Sequence, residues 1–551
     1  MASISAARKI LMGVLLCLML SLISWKDGEG NMTHSRYFVD SEAGDDHQDG
    51  RSPGTAWQSL TKVNSTVFQP GDHILFKAGS IWTGELKPQG SGIAGKPIVI
   101  NRYGEGDKPL IQGAGAPSAV SLYNQEYWEI GHLELINTGP TATSYRRGVS
   151  IIGEDYEASN KGTLDEVSTL HHIRLHDLYI HDVNGEDRKD GLGSAGILIA
   201  VLITDPQDKA SPSADAVHER TTFDQIVIEN NVIERVERSG IATWSDWKNR
   251  ELLHDQNGCA DCERTPWTPL TNVVIRGNKL THIGGDGIVP HMTDRALVES
   301  NTLKGFNMTS TGYNAGMWTW NGDHTLYQFN EVSEGYSTRD GMAFDFDHAS
   351  DGIIYQYNYS HDNDGGTLLF CSDGSGGKVT NGIFRYNISQ NDKYQIFTIC
   401  GASNVYNMQV YNNVFYIGPD LDTHPLVSQG GAVQVALHNN IFFNLGSGHY
   451  KGKASWTYDS NLYYGNHIPS MSTIPDPNRL TSDPLFIEPG AAADIHDLSG
   501  YKLRIGSPAI GSGINMPTEG MNDLFGDKIV SSNLGAYGGL GEAAKDQADN
   551  E

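Results

Sequence analysis

The chain has 551 residues and a formal net charge of −27, long enough for two or three ordinary domains or for one extended repeat fold. So acidic a chain lacks the basic footprint that nucleic acid demands, and it suits a neutral ligand better than a polyanion. With 63 glycines and 19% charged residues, the composition favours short strands and tight turns over long helices.

Arg8 and Lys9 precede an apolar run from Ile10 to Trp25, followed by the polar KDGEGN. By length and flanks this is a secretory apolar region, short for a membrane span. No small-x-small cleavage site follows, so residues 1–30 are expected to be a signal peptide or an uncleaved anchor. Either places the mature chain outside the cytoplasm, secreted or at a cell surface. Residues 31–132 read as an N-terminal capping segment with the first coils: a strand from Tyr37, a short helix around Trp57 to Val63, then strands cut by Pro-Gly, Gly-Ser and Gly-Lys-Pro turns.

From about Leu133 a loose repeat begins and runs to about residue 540. Its marker is asparagine, at Asn231, Asn278, Asn301, Asn330, Asn358, Asn387, Asn413, Asn440 and Asn461, with steps from Asn278 onward of 23, 29, 28, 29, 26, 27 and 21 residues. Such a period, with several strands in each unit, predicts an all-β solenoid, a parallel β-helix, whose asparagines stack at a turn and bond along the ladder. The segments at Asn307, Asn358 and Asn387 match glycosylation sequons, and the last two coincide with the ladder. Polar insertions near 205–220 and 247–267 interrupt the repeat and are expected to wall one side of a binding groove. The segments YKLRIGSPAIGSG and NLGAYGG near the end suggest a terminal cap, and 541–551 a frayed tail. Cys259 and Cys262 form a local disulfide or half of a metal site. Cys371 and Cys400 lie one coil of 29 residues apart and stack, as a disulfide or as a reduced pair.

The chemistry concentrates between Trp318 and Asp373. In MAFDFD, strand alternation turns Phe344 and Phe346 inward and Asp345 and Asp347 outward to solvent, roughly 6.5 Å apart along the strand. Two carboxylates that close develop different proton affinities. Counted by the asparagines, a coil of 28 residues sets Asp373 beside Asp345, near the roughly 5 Å separation of a retaining glycosidase pair; counted by the glycines, Asp345 faces Phe370 instead. Asp345, Asp347 and Asp373 are the catalytic candidates. Trp318 and Trp320 project to one side and suit the C–H faces of sugars, with Trp318 expected near Asp347. Arg339, Asp340, His291, His348, His361 and Asp364 are candidate substrate contacts.

The opening block, the asparagine ladder and the closing GSPAIGSG with LGAYGG resemble secreted right-handed parallel β-helix proteins of the carbohydrate-active kind. The surroundings of Asp345 and Asp373 look like those of glycoside hydrolase family 120, which implies Asp345 as nucleophile and Asp373 as acid. The broader sequence resembles family 141, which includes fucosidase and xylanase activities. The resemblance implies a monomeric glycoside hydrolase acting on a plant or microbial polysaccharide or oligosaccharide, without nucleic acid or cofactor. Two other readings stand beside it. One is a polysaccharide lyase, in which Asp345, Asp347, Asp364 or Asp373 holds Ca2+ and Lys393 or Arg385 is the base. The other is a carbohydrate-binding protein without catalysis.

Overall fold

The asparagine period translates into stacked coils. In the computed structural model the residues described are 35–543, apart from 144, 159–165, 190–192, 204–217, 255–257, 260, 337–338, 373–376, 401–403, 427–432, 453–454 and 519. Their strands form three sheets of 17, 13 and 9 strands, and consecutive coils pair in parallel, as Tyr179 with Val232 and Val232 with Lys279. This is the parallel β-helix that the repeat predicts. Among the described residues the helical pieces are short: Pro53–Thr55, Leu60–Asn64 and Ser499–Tyr501. The helix Leu60–Asn64 is the one expected near Trp57; Ser59 caps it by accepting the Lys62 N–H, and it buries Leu60 and Val63.

All nine asparagines sit at the corner between the first two sheets. From Asn278 onward each Oδ1 accepts both the backbone N–H and the Nδ2 of the asparagine one coil earlier, as Asn278 does from Asn231 (3.0 and 2.9 Å) and Asn358 from Asn330 (3.0 and 3.0 Å), while the Oδ1 of the first, Asn231, accepts the Leu178 N–H (2.9 Å). The remaining Nδ2 proton goes to a strand carbonyl, Ile228 O in the case of Asn278. The residue before each asparagine turns the chain through the left-handed region, with φ of 57° at Asn230, 54° at Phe329 and 58° at Tyr357. That turn costs about 1–2 kcal/mol for a residue with a side chain, and the satisfied amide column offsets it. The last amide, on Asn461, needs an acceptor with no donor requirement of its own, and Asp476 supplies it (2.9 Å). Asn358 and Asn387 are therefore fully used inside the ladder, and the sequon asparagine Asn307 is buried as well.

Inside the coils Tyr327 stacks on Tyr355 at 4.6 Å and Phe415 on Phe442 at 5.0 Å. Residues 490–539 lie along the outer face of the second sheet, where Tyr359 Oη donates to Ala492 O and Leu534 and Tyr501 pack on Val414 and Ile441. The third sheet carries the cavity on its outer face, and its nine strands run from Ser118–Tyr123 to Phe397–Ile399.

Candidate active site

Strand register builds a floor from one residue per coil. Leu198 pairs with Ala242, Ile288 with Met317, Trp318 with Asp345, and Asp345 with Leu369. One outward column thus reads Leu198, Ala242, Val289, Trp318, Asp345, Leu369 and Thr398. It floors a cavity of about 1060 Å3, within reach of the upper range for small-ligand sites. The next outward positions supply a wall of Trp244, His291, Trp320, Asp347, His348 and the Cys371–Cys400 disulfide. The opposite wall holds Lys189, Arg238, Asp286, Tyr313, Arg339 and Asp340.

Of the anticipated site residues, Asp345, Asp347, Trp318, Trp320, Arg339, Asp340, His291 and His348 all line this cavity. Asp345 and Asp347 share a face, with Phe344 and Phe346 in the core, yet Asp345 does not reach open solvent: it is 4% exposed. The register differs from both counts, because loop lengths at the asparagine corner do not carry over to the third sheet. Asp345 stands beside Leu369, neither Phe370 nor Asp373, and Trp318 stands beside Asp345 rather than Asp347. Asp373 lies outside the described residues. His361 and Asp364 belong elsewhere: His361 is held by Asp362 (2.8 Å) and Glu331 (3.4 Å), Asp364 by Lys393 (2.8 Å). The lyase bases are likewise engaged away from the cavity, Lys393 with Asp364 and Arg385 with Gln356 and Tyr411.

The carboxylates here are set apart by their surroundings. Asp345 Oδ1 is buried with no hydrogen bond among the described residues. Burial, then the negative charges of Asp347, Asp340 and Asp286, raise its proton affinity well above the usual carboxylate range against the pull of Lys189. Burial raises Asp340 to about 6, again opposed by Lys189. Asp286 goes the other way: burial alone would raise it, but Arg238, Lys189, the Ala315 N–H (3.0 Å) and Trp318 Nε1 (2.9 Å) hold it below the usual value. Arg238 pairs with Asp286 and also donates to Asn314. His291 is lowered by burial to about 3, so it is neutral; its Nδ1 accepts the Trp320 N–H (3.0 Å), which leaves the proton on Nε2.

The tryptophans are placed differently from free sugar platforms. Trp320 lies parallel between Trp244 (5.3 Å) and His348 (6.5 Å), and Trp318 has Lys189 over its ring at 5.0 Å and His291 at 4.7 Å. From the insertion 247–267, Lys248 lines the cavity. Arg250 stacks on Trp267 (4.0 Å) and donates to Asn321 (2.6 Å) and Asp323 (2.7 Å), which sets Lys248 at the cavity rim. The insertion near 205–220 lies almost wholly outside the described residues. Cys259 pairs with Cys262 as a disulfide, and Cys371 with Cys400, whose Cα atoms are 4.9 Å apart.

Sequence reasoning missed Lys189, Arg238, Asp286, Trp244, Lys248, Tyr313 and Tyr394. Trp244 had a signal, since ATW precedes MWTW at an equivalent strand position. Asp286 had one in its Gly-rich corner GGDG. The cations had none, being coils away in sequence.

No family model matches the chain. A curated relative, lacto-N-biosidase from Bifidobacterium longum subsp. longum, is 28% identical over 93% of this chain. The chain spans only 36% of that relative's length. Two crystal structures of the GH136 lacto-N-biosidase from Eubacterium ramulus resemble it with TM-scores of 0.61 and 0.58, at 28% and 29% identity, covering 74% and 72% of this chain and 68% and 66% of those chains. The relatives are thus lacto-N-biosidases of family 136, not members of families 141 or 120, and the chain is similar over most of its length to β-helix proteins that act on carbohydrate.

Proposed function

We propose that the protein is an exported glycoside hydrolase that releases a lacto-N-biose-type disaccharide from an oligosaccharide, in place of the plant or microbial polysaccharide expected from sequence. The observation that carries this reading is the trio Asp340, Asp345 and Asp347 in a cavity of about 1060 Å3, on a chain 28% identical to a lacto-N-biosidase. Two disulfides among the described residues support an oxidising compartment.

Glycoside hydrolysis needs one carboxyl that keeps its proton and one that does not. Asp340, with its affinity near 6, is the general acid for the leaving oxygen. Asp347, whose negative charge helps hold the proton on Asp345, is the ionised partner at the anomeric carbon. Asp345 sits between them on the floor, and its proton is available for a hydrogen bond to substrate or to either neighbour. Neutral His291 is a donor through Nε2, and Arg238 with Asp286 fixes the Trp318 ring.

The test is hydrolysis of p-nitrophenyl β-lacto-N-bioside beside a panel of neutral and uronate polysaccharides, following nitrophenol, reducing ends and unsaturated products. The expected result is nitrophenol with the disaccharide and little from the polymers. Unsaturated uronate products, or reducing ends from a polymer alone, would overturn it.

A further inference from the structure

Away from the cavity, at the corner between the first and second sheets, three side chains converge. Strand Trp128–Gly131 pairs with Ser168–His176, Gly131 lying opposite His176. The residues that follow, His132 and Asp177, are therefore neighbours across consecutive coils. The ligand atoms of His132, His176 and Asp177 all lie within 4.8 Å of one another, the one such group among the described residues. His176 Nδ1 is 2.8 Å from Asp177 Oδ2, and His132 Nε2 is 3.9 Å from the same oxygen.

We propose that His132, His176 and Asp177 bind a borderline divalent transition-metal ion such as Zn2+ and staple the two coils together. Two imidazoles and a carboxylate are a donor set for zinc, cobalt or nickel rather than for calcium or magnesium. Metal–ligand bonds of about 2.0–2.2 Å set tetrahedral ligand atoms roughly 3.3–3.5 Å apart, so the observed spacings bracket the required one. The fourth corner of this square is Gly131. A Cβ there would lie 2.4 Å from His176 Cε1, so only glycine leaves the imidazole its place. The His176 side chain is 8% exposed, whereas those of His132 and Asp177 are 36% and 40% exposed. Water can therefore complete the coordination from the open side.

Lys108 and Arg102 bring positive charge to the cluster, Lys108 donating to the Asp177 carbonyl. Their repulsion places the affinity below that of a closed four-ligand zinc site. Because the site ties coil to coil and lies outside the catalytic cavity, its occupancy stabilises the protein without entering the reaction.

The experiment strips the full chain with a chelator and titrates it with Co2+ and then Zn2+. Expected are visible ligand-field bands that saturate at one Co2+ per chain, displacement by Zn2+, and a higher melting temperature with Zn2+. In His132→Ala and in Asp177→Ala, affinity drops by at least about tenfold and the Zn2+-dependent rise in melting temperature disappears. Glycosidase turnover by these variants, which reports their folding, stays at the wild-type level, and His172→Ala, on the same strand as His176 but held by Glu129 instead, keeps the bands. Absence of saturable bands in the wild type, or bands that survive unchanged in His132→Ala, would overturn the proposal.

Discussion

Asp392 and Asp345 are both buried aspartates in neighbouring coils, and they are built to opposite ends. Asp392 is saturated with donors: Ser360 (2.5 Å), Ser389 (2.7 Å) and Thr367 (2.8 Å) on one oxygen, Asn363 Nδ2 (2.8 Å) and N–H (3.1 Å) on the other. Burial still raises its proton affinity, but those donors pull it back. Asp345 has the burial without the donors, and it faces Asp347, Asp340 and Asp286. A carboxyl that serves the fold is satisfied on every lone pair. One held without donors among like charges at a cavity carries a cost, which is the pattern of functional carboxyls.

That contrast can be broken from either side. The largest effect is expected from Asp340→Asn, which removes the proposed acid: turnover falls by about 10²–10⁴-fold while the melting temperature holds, as a steady-state assay and calorimetry would show. Asp392→Ala does the reverse. It leaves Asn363, Ser360 and Thr367 without their buried acceptor, at a cost of roughly 3 kcal/mol, read as a lower denaturant midpoint, with turnover per folded molecule preserved.

The pH dependence sharpens the same comparison. With Asp340 near 6 in the free protein, the acid is protonated below that pH and lost above it, so kcat/KM is expected to decline on an alkaline limb centred near pH 6. The smallest effect is on stability. A carboxyl whose affinity is raised by burial contributes fully below its unfolded value of about 4 and loses that contribution as pH rises through the folded value. Asp345→Asn, uncharged at every pH, escapes the loss; it melts a few degrees above wild type at pH 8 and close to it at pH 4.

Much of this was legible in the sequence, and for a physical reason. Each asparagine must bond to the next, so Asn231 to Asn461 keep the coil length where it can be read. The alternation MAFDFD likewise gives the side-chain directions of Phe344 and Asp345 without reference to any neighbour. Register in the third sheet is another matter. Asn330 to Asn358 spans 28 residues, whereas Asp345 reaches Leu369 in 24, because the loops between sheets differ in length at each corner. A count made at one corner therefore misplaced Asp373 and Trp318. The partners of Asp345 were hidden for a related reason: Lys189 and Arg238 enter from earlier coils, and Trp320 is covered by Trp244 across the insertion 247–267. His361 and Asp364 looked like site residues only because they follow the acidic strand; both point from a different part of the coil, where Glu331 and Lys393 hold them.

The central claim is that the cavity's carboxylates cleave a lacto-N-biosyl bond. The most direct measurement is kcat/KM on p-nitrophenyl β-lacto-N-bioside for the wild type and for Asp347→Asn, with melting curves on both. The account predicts that the wild type turns over and that the variant, equally stable, loses about 10³-fold or more. A folded Asp347→Asn protein that retains activity within about tenfold of wild type would contradict it.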